Sequence, residues 1–237
     1  HWLCNTLAAG TRLSGSAAAQ RMLGMQARIY PLQWTTTAGW STSQPYAARA
    51  VGWEGITVAH LWRDLEDREL AGRTAAHFRE RLTRILVPQL GSRDRDVWDV
   101  RVDDARLGPG ARWLPWQQAV GAYGLDIAGE VLGEPAARDL GLRAARAVLR
   151  DAYLQRPDGR WTARNVVALD GTEDPTPGYF DLFGCPMAVA VVMRHDPTDV
   201  RASAIWQQLL GDATRPHEAS WIAPGIQGVR EEREQRR

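Results

Sequence analysis

The sequence predicts an all-α fold built from antiparallel helical hairpins, and three observations carry the prediction. The helical period recurs along the chain, while few stretches alternate as strands do. Helices that are apolar on every side take turns with helices that carry a charged face. The links within each such pair are very short, and the links between pairs are long. A helix apolar all round must be enclosed and one with a charged face lies outside. The pairs therefore stack as an inner and an outer row.

The first pair spans residues 2–10 and 17–29. Leu13-Ser14-Gly15-Ser16 breaks it in the middle and Pro31 stops it. The second spans 46–63 and 68–86, joined by a tight turn at 64–67 and ended by Pro88 and Gly91. The third spans 113–132 and 136–154, with Gly133-Glu134-Pro135 as its turn and the proline placed to begin a helix. The fourth spans 179–194 and 199–210, turning at 195–197. Three of the turn neighbourhoods read alike: TLAAGTRLSGSAAAQRM, TVAHLWRDLEDRELAGR and DIAGEVLGEPAARDLGLR. Between the second and third pairs, VWDVRV reads as a short strand. Residues 1–210 are expected to form one domain, and 211–237 an irregular charged tail ending in EEREQRR.

Composition excludes several classes of protein. Of 237 residues, 44% are hydrophobic and 24% charged, which supplies a sizeable core and rules out a disordered chain. A formal net charge of +1 offers no global field for nucleic acid or anionic lipid, so neither is an expected partner. All 29 basic residues are arginine. Mechanisms that need a lysine nucleophile, a Schiff base or a phosphate-loop lysine are thereby excluded. Cys4 and Cys185 stand far apart without metal spacing and read as two buried thiols. His60, His77 and His195 show no metal-ligand spacing, so no metal or cofactor is expected. No apolar run reaches ~18 residues, so no membrane segment is expected. The chain starts at His1, as a trimmed precursor or a piece of a longer protein would.

The long links fall near residues 30–45, 88–112 and 155–177, all before inner helices, and so gather on one rim. Long structureless links are uncommon unless functional. The 11 tryptophans, against 3 phenylalanines and 5 tyrosines, concentrate there. Trp34, Trp40, Tyr46 and Trp53 flank the first link. Trp98, Trp113 and Trp116 flank the second, and Trp161, Tyr179 and Phe180 the third.

This alternation of apolar and amphipathic helices resembles the α/α-toroid, or six-hairpin, proteins over roughly residues 1–210. That group includes glycoside hydrolases, polysaccharide lyases, sugar epimerases and terpenoid cyclases. The resemblance implies a partial or complete toroid with its active site in the funnel at the inner-helix N-termini. Four hairpins are counted where six close the ring. Either further hairpins lie outside this chain, or the array is open and curved. Locally, Gln155-Arg156-Pro157-Asp158-Gly159-Arg160-Trp161 is similar to the Q-x-x-D-G-x-W element of terpenoid cyclases, which ties an outer helix to the next repeat.

A glycan substrate fits such a rim. Indole faces stack on the C–H faces of sugars, while arginine, carboxylate and amide groups meet their hydroxyls. Trp34, Trp40 and Trp113 are the candidates for stacking, Arg49, Arg112 and Gln117 for polar contacts, and Trp53 is a further candidate for substrate binding. Glycoside hydrolysis needs two carboxyl groups roughly 5–9.5 Å apart. Glu54, alone on an otherwise apolar helix, is the candidate acid with Asp181 as base. The alternative for Glu54 is an ion pair with Arg49 or another arginine. Asp99, Asp103 and Asp104 lie in the second link. For a lyase, Tyr46 as base with Arg49 three residues on would share one helix face. Two other functions stay open: a helical-repeat scaffold that binds a protein, and a terpenoid-cyclase-like toroid with an apolar cavity.

Overall fold

The computed structural model describes residues 3–34, 47–91, 94–105, 107–170 and 185–212. These residues are mostly helical. The first hairpin is α1 (Leu3–Ser14) and α2 (Ala17–Gln33). The second is α3 (Ala47–Asp64) and a long helix of three parts: α4 (Arg68–Arg81), a π-helical turn (Leu82–Leu86) and α5 (Val87–Leu90). The third is α6 (Pro115–Leu132) and α7 (Pro135–Asp151), and the fourth α8 (Pro186–His195) and α9 (Val200–Asp212).

Local chemistry fixes the turns. Ser16 caps α2 by accepting from the Ala19 N–H, and Asp67 caps α4 by accepting from Leu70 at 2.9 Å. Gly133 ends α6 at φ 69°, a left-handed conformation that costs glycine nothing. The Glu134 N–H then closes on the Gly129 carbonyl at 2.7 Å. Pro135 starts α7 at once.

The hairpins pack in chain order. In the inner row α1 lies on α3, α3 on α6 and α6 on α8. Outside it, α2 lies on α4 and α5 on α7. The inner helices run parallel. Arg12 near the end of α1 meets Asp64 at the end of α3, and Asp126 and Glu130 late in α6 meet Arg194 at the end of α8. α3 and α6 touch backbone to backbone. A Cβ on Gly52 would lie 2.2 Å from the Val120 carbonyl oxygen, and one on Gly124 would lie 2.1 Å from that of Gly52. Parallel inner helices put the hairpin turns at one end and the starts of α3, α6 and α8 at the other.

The structure corrects the sequence reading in several places. The fold is not purely helical, because two small antiparallel sheets sit in the links. β1 (Arg101–Asp104) pairs with β2 (Gly108–Trp113), and β2 also pairs with β5 (Val167–Ala168), joining the second and third links. β3 (Tyr153–Gln155) pairs with β4 (Trp161–Ala163). Trp113 therefore ends a strand instead of opening α6. Pro31 does not stop α2. In the last turn it removes one bond, to the Ala27 carbonyl, and the Trp34 N–H still closes on Tyr30 at 2.9 Å. Pro88 does not end the second hairpin's outer helix either. The π turn before it shifts the bonding pattern, with the Val87 N–H reaching the Leu82 carbonyl, and the helix runs on to Leu90.

The QRPDGRW segment forms the β3–β4 hairpin. Gly159 takes φ 83°, and Asp158 accepts from the Arg160 N–H at 3.0 Å. Trp161 exchanges two backbone bonds of 2.7 Å with the Gln208 amide of α9, and Arg201 of α9 lies 5.1 Å over its ring. The hairpin thus ties the exit of α7 to α9.

Candidate functional site

The link end is where the sequence places the site, and its groups can be followed one by one. β1 starts and β2 ends at the same point, with Arg101 opposite Arg112. Asp99, just before β1, and Trp113, at the end of β2, accordingly leave the ribbon together. α6 begins two residues after Trp113 and carries Trp116, Gln117 and Gln118 in its first turn. α3 begins alongside, and the Arg49 guanidinium lies 5.4 Å from the centre of the Trp116 ring, within cation–π range.

Gln117 and Gln118 are equally buried and differ in what they touch. Gln118 accepts from the Trp98 N–H at 3.0 Å and donates to the Asp96 and Ala144 carbonyls, each at 3.0 Å, which staples the link to α7. Gln117 is 1% exposed, and neither its oxygen nor its nitrogen has a hydrogen-bond partner among the described residues. The same holds for Trp113 Nε1 and Asp99 Oδ1. A buried polar atom without a partner costs about 1–3 kcal/mol. Asp99 and Trp113 lie in the link before α6, and Gln117 in the first turn of α6.

Asp99 is held at its other oxygen by Arg101 Nη2 at 3.3 Å. Burial raises its carboxyl above the usual range, and Arg101 offsets that only in part. Burial moves the Asp99 carboxyl in the direction that a catalytic acid needs.

Glu54 sits elsewhere. It is fully buried two turns into α3, facing the outer helices. Its carboxylate accepts from Arg81 Nε at 2.7 Å, Arg81 Nη2 at 3.1 Å and the Tyr30 hydroxyl at 3.0 Å. Burial raises the Glu54 pKa against the opposing pull of Arg81 and Tyr30. Burial and the Glu54 charge push the Tyr30 phenol well up. The expected arginine partner exists, but it is Arg81 of α4, not Arg49. Trp34, half-buried at the end of α2, lies 5.9 Å from the Arg81 guanidinium, and its carbonyl accepts from His77. Glu54 and Trp34 are thus brought together through Arg81, apart from Asp99 and Gln117.

Trp53 and Arg112 are buried, and Arg112 Nε donates to the Pro109 carbonyl at 2.8 Å. Trp113 is 1% exposed, so its indole is enclosed instead of forming an open stacking face. Trp116, like Trp34, is only partly buried and keeps exposed area. Trp40, Tyr46 and Asp181 lie outside the described residues. Among the described residues no group of three histidine, cysteine, aspartate or glutamate side chains is placed to hold a metal ion. No helix among them is long and apolar enough to cross a membrane.

A second polar cluster, invisible in the sequence, lies at the turn end. Asp126 of α6 is fully buried, accepting from Arg194 Nη1 at 2.7 Å and lying 2.6 Å from His195 Nε2. No family model matches the chain, and no curated protein and no solved structure matches it.

Proposed function

We propose that the hairpin array is an arc of an α/α toroid that binds a glycan at its inner-helix N-terminal end and acts on it, in the manner of a glycoside hydrolase or polysaccharide lyase. One observation carries the reading: among the described residues, Gln117, Trp113 Nε1 and Asp99 Oδ1 are buried without partners at the start of α6 and in the link before it. Sugar hydroxyls, each both donor and acceptor, would satisfy them. Trp116 with Arg49 would stack on one sugar face. Asp99 would protonate the leaving oxygen or return a proton to it, the role the sequence suggested for Glu54, whose carboxylate is engaged by Arg81 and Tyr30. Tyr46, one residue before α3, and Asp181, before α8, are the proposed bases by chain position.

Titration calorimetry with a panel of neutral and uronate-containing oligosaccharides tests the reading. Gln117→Leu should weaken glycan binding about tenfold or more while stabilising the free protein, because an unsatisfied amide gives way to an apolar group. Asp99→Asn should bind glycan and fail to turn it over. A Gln117→Leu protein that binds as before and is less stable would show the amide to be structural, and the site would be lost.

A further inference from the structure

The outer helix of the first hairpin carries two apolar rows. Leu23, Ala27 and Tyr30 face the core, while Met22, Met25, Ile29 and Leu32 are exposed. Spacings of three, four and three residues put the exposed four on one face of α2. Single exposed apolar side chains need no explanation, but a continuous row of them marks a surface that another molecule covers. Gln20, on roughly the opposite face, donates to the Asp64 carbonyl at 2.6 Å and accepts from the Glu66 N–H at 3.1 Å. The second hairpin lies on that side, so the exposed row looks away from it, out of the edge of the array. In stacked arrays a terminal unit ends in a polar outer face. The edge at α2 is instead apolar, as an internal junction is.

The junctions inside the molecule show what a neighbour supplies. At each one between adjacent described hairpins an arginine crosses to a carboxylate: Arg12 to Asp64 at 2.8 Å, Arg79 to Glu134 at 2.5 Å and Arg194 to Asp126 at 2.7 Å. The free edge holds the arginine half of such a pair. Arg21 and Arg28 run along one flank of the apolar row, are exposed, and form no ion pair among the described residues. Residues 1–53 contain no aspartate or glutamate, so this hairpin cannot supply the carboxylates itself. We infer that the exposed face of α2 docks an amphipathic helix of a partner protein, one with carboxylates beside its apolar stripe, on Met22, Met25, Ile29 and Leu32 with Arg21 and Arg28. Charge argues against a second copy of this chain placed face to face. Two antiparallel α2 helices would set arginine against arginine, and two parallel ones would set arginine against Gln26 and Gln33. The surface is independent of the glycan reading.

Fluorescence anisotropy tests this with a labelled synthetic peptide of about 20 residues, long enough to hold a helix in water. It carries leucine at the two core positions of each heptad and glutamate at the two flanking ones, and is titrated with the full chain. A matched peptide with arginine in place of glutamate is the control. The glutamate peptide should bind saturably, about tenfold or more tighter than the arginine peptide, and more weakly as salt rises. Met25→Gln with Ile29→Gln should abolish its binding. Arg21→Gln with Arg28→Gln should weaken it about tenfold and remove most of the preference between peptides. All four positions are exposed, so each variant should keep the thermal midpoint of the unaltered chain. Should a variant fail to fold, the two peptides compared on the unaltered chain decide alone. No saturation by about 100 μM chain, equal affinity for both peptides, or undiminished binding by the Met25→Gln, Ile29→Gln protein overturns the inference. So does capture by phosphatidylserine vesicles that this double substitution prevents, which would make the face a membrane surface. A dimer in sedimentation that the same substitution dissolves would overturn it in favour of a second copy.

Discussion

Glu54 and Arg81 show what a buried charge demands. Taking two ions out of water costs several kcal/mol each, and only a close, fully hydrogen-bonded geometry offsets it. Arg81 supplies two bonds and Tyr30 a third. Glu54→Gln leaves Arg81 buried without its countercharge and should cost about 3–5 kcal/mol in urea unfolding. Replacing both, as Glu54→Leu with Arg81→Met, should cost much less. A single substitution no worse than the double would mean that Arg81 finds another partner. The sequence marked Glu54 because a lone acid on an apolar helix must be paired. It could not name Arg81, since only the register of α4 against α3 brings that side chain over. Asp99 yields a pH prediction of definite sign. Its folded value lies above its unfolded one, so between the two the folded chain holds the extra proton. Its contribution to stability is greatest below that window and falls as pH rises through it, upward from about 4. Asp99→Asn should flatten this part of a stability-versus-pH curve. An unchanged slope would place the proton elsewhere.

The approach of α3 to α6 depends on missing side chains. Gly52 and Gly55 repeat at i, i+3 on one helix and Gly121 and Gly124 on the other, and backbone oxygens fill the space where their Cβ atoms would go. Gly124→Ala gains up to about 1 kcal/mol of helix propensity. It must also push a backbone 2.1 Å away, which no rotamer change relieves. The clash wins, and a loss of about 1–3 kcal/mol is expected in thermal unfolding. Gly72→Ala is the contrast. Nothing lies within 4 Å of its added Cβ on α4, so propensity acts alone and the protein should gain about 0.5–1 kcal/mol. Equal effects at both positions would contradict backbone contact between α3 and α6. At this scale the sequence was largely readable. The 3.6-residue period located the paired helices, and Gly133-Pro135 located a turn, because those signals are local. VWDVRV pointed to β1, which it overlaps at Arg101 and Val102, but β2 and β5 were not readable, since Trp113 pairs with Val167 from a different link and neither segment alternates by itself. Pro31 and Pro88 misled because a proline's cost depends on the turn it occupies. Asp126 and His195 sit on separate helices, so no spacing in the chain announces them.

Parallel inner helices, each resting on its neighbour, make the molecule nearly one-dimensional. In such arrays stability is close to a sum of unit and nearest-neighbour terms. The central units have a neighbour on both sides: α3 lies between α1 and α6, and α6 between α3 and α8. Among the described helices, the first and last hairpins have one. The α2 helix accordingly leaves Met25 and Leu32 exposed, 61% and 80%, on the side away from Leu23 and Tyr30. The helix α9 is held to the array through α8 and the Trp161–Gln208 bonds. Opening should therefore start at the ends and reach the α3–α6–α7 centre last. Native-state hydrogen exchange under increasing urea measures this directly. Amides of α6 should exchange only with global unfolding, and those of α2 and α9 at lower free energy. Gln208→Ala should lower the opening energy of α9 further, leaving that of α6 tied to the global value. If α2, α6 and α9 all exchange at one common energy, the hairpins are not independent units, and the array folds as a single cooperative core.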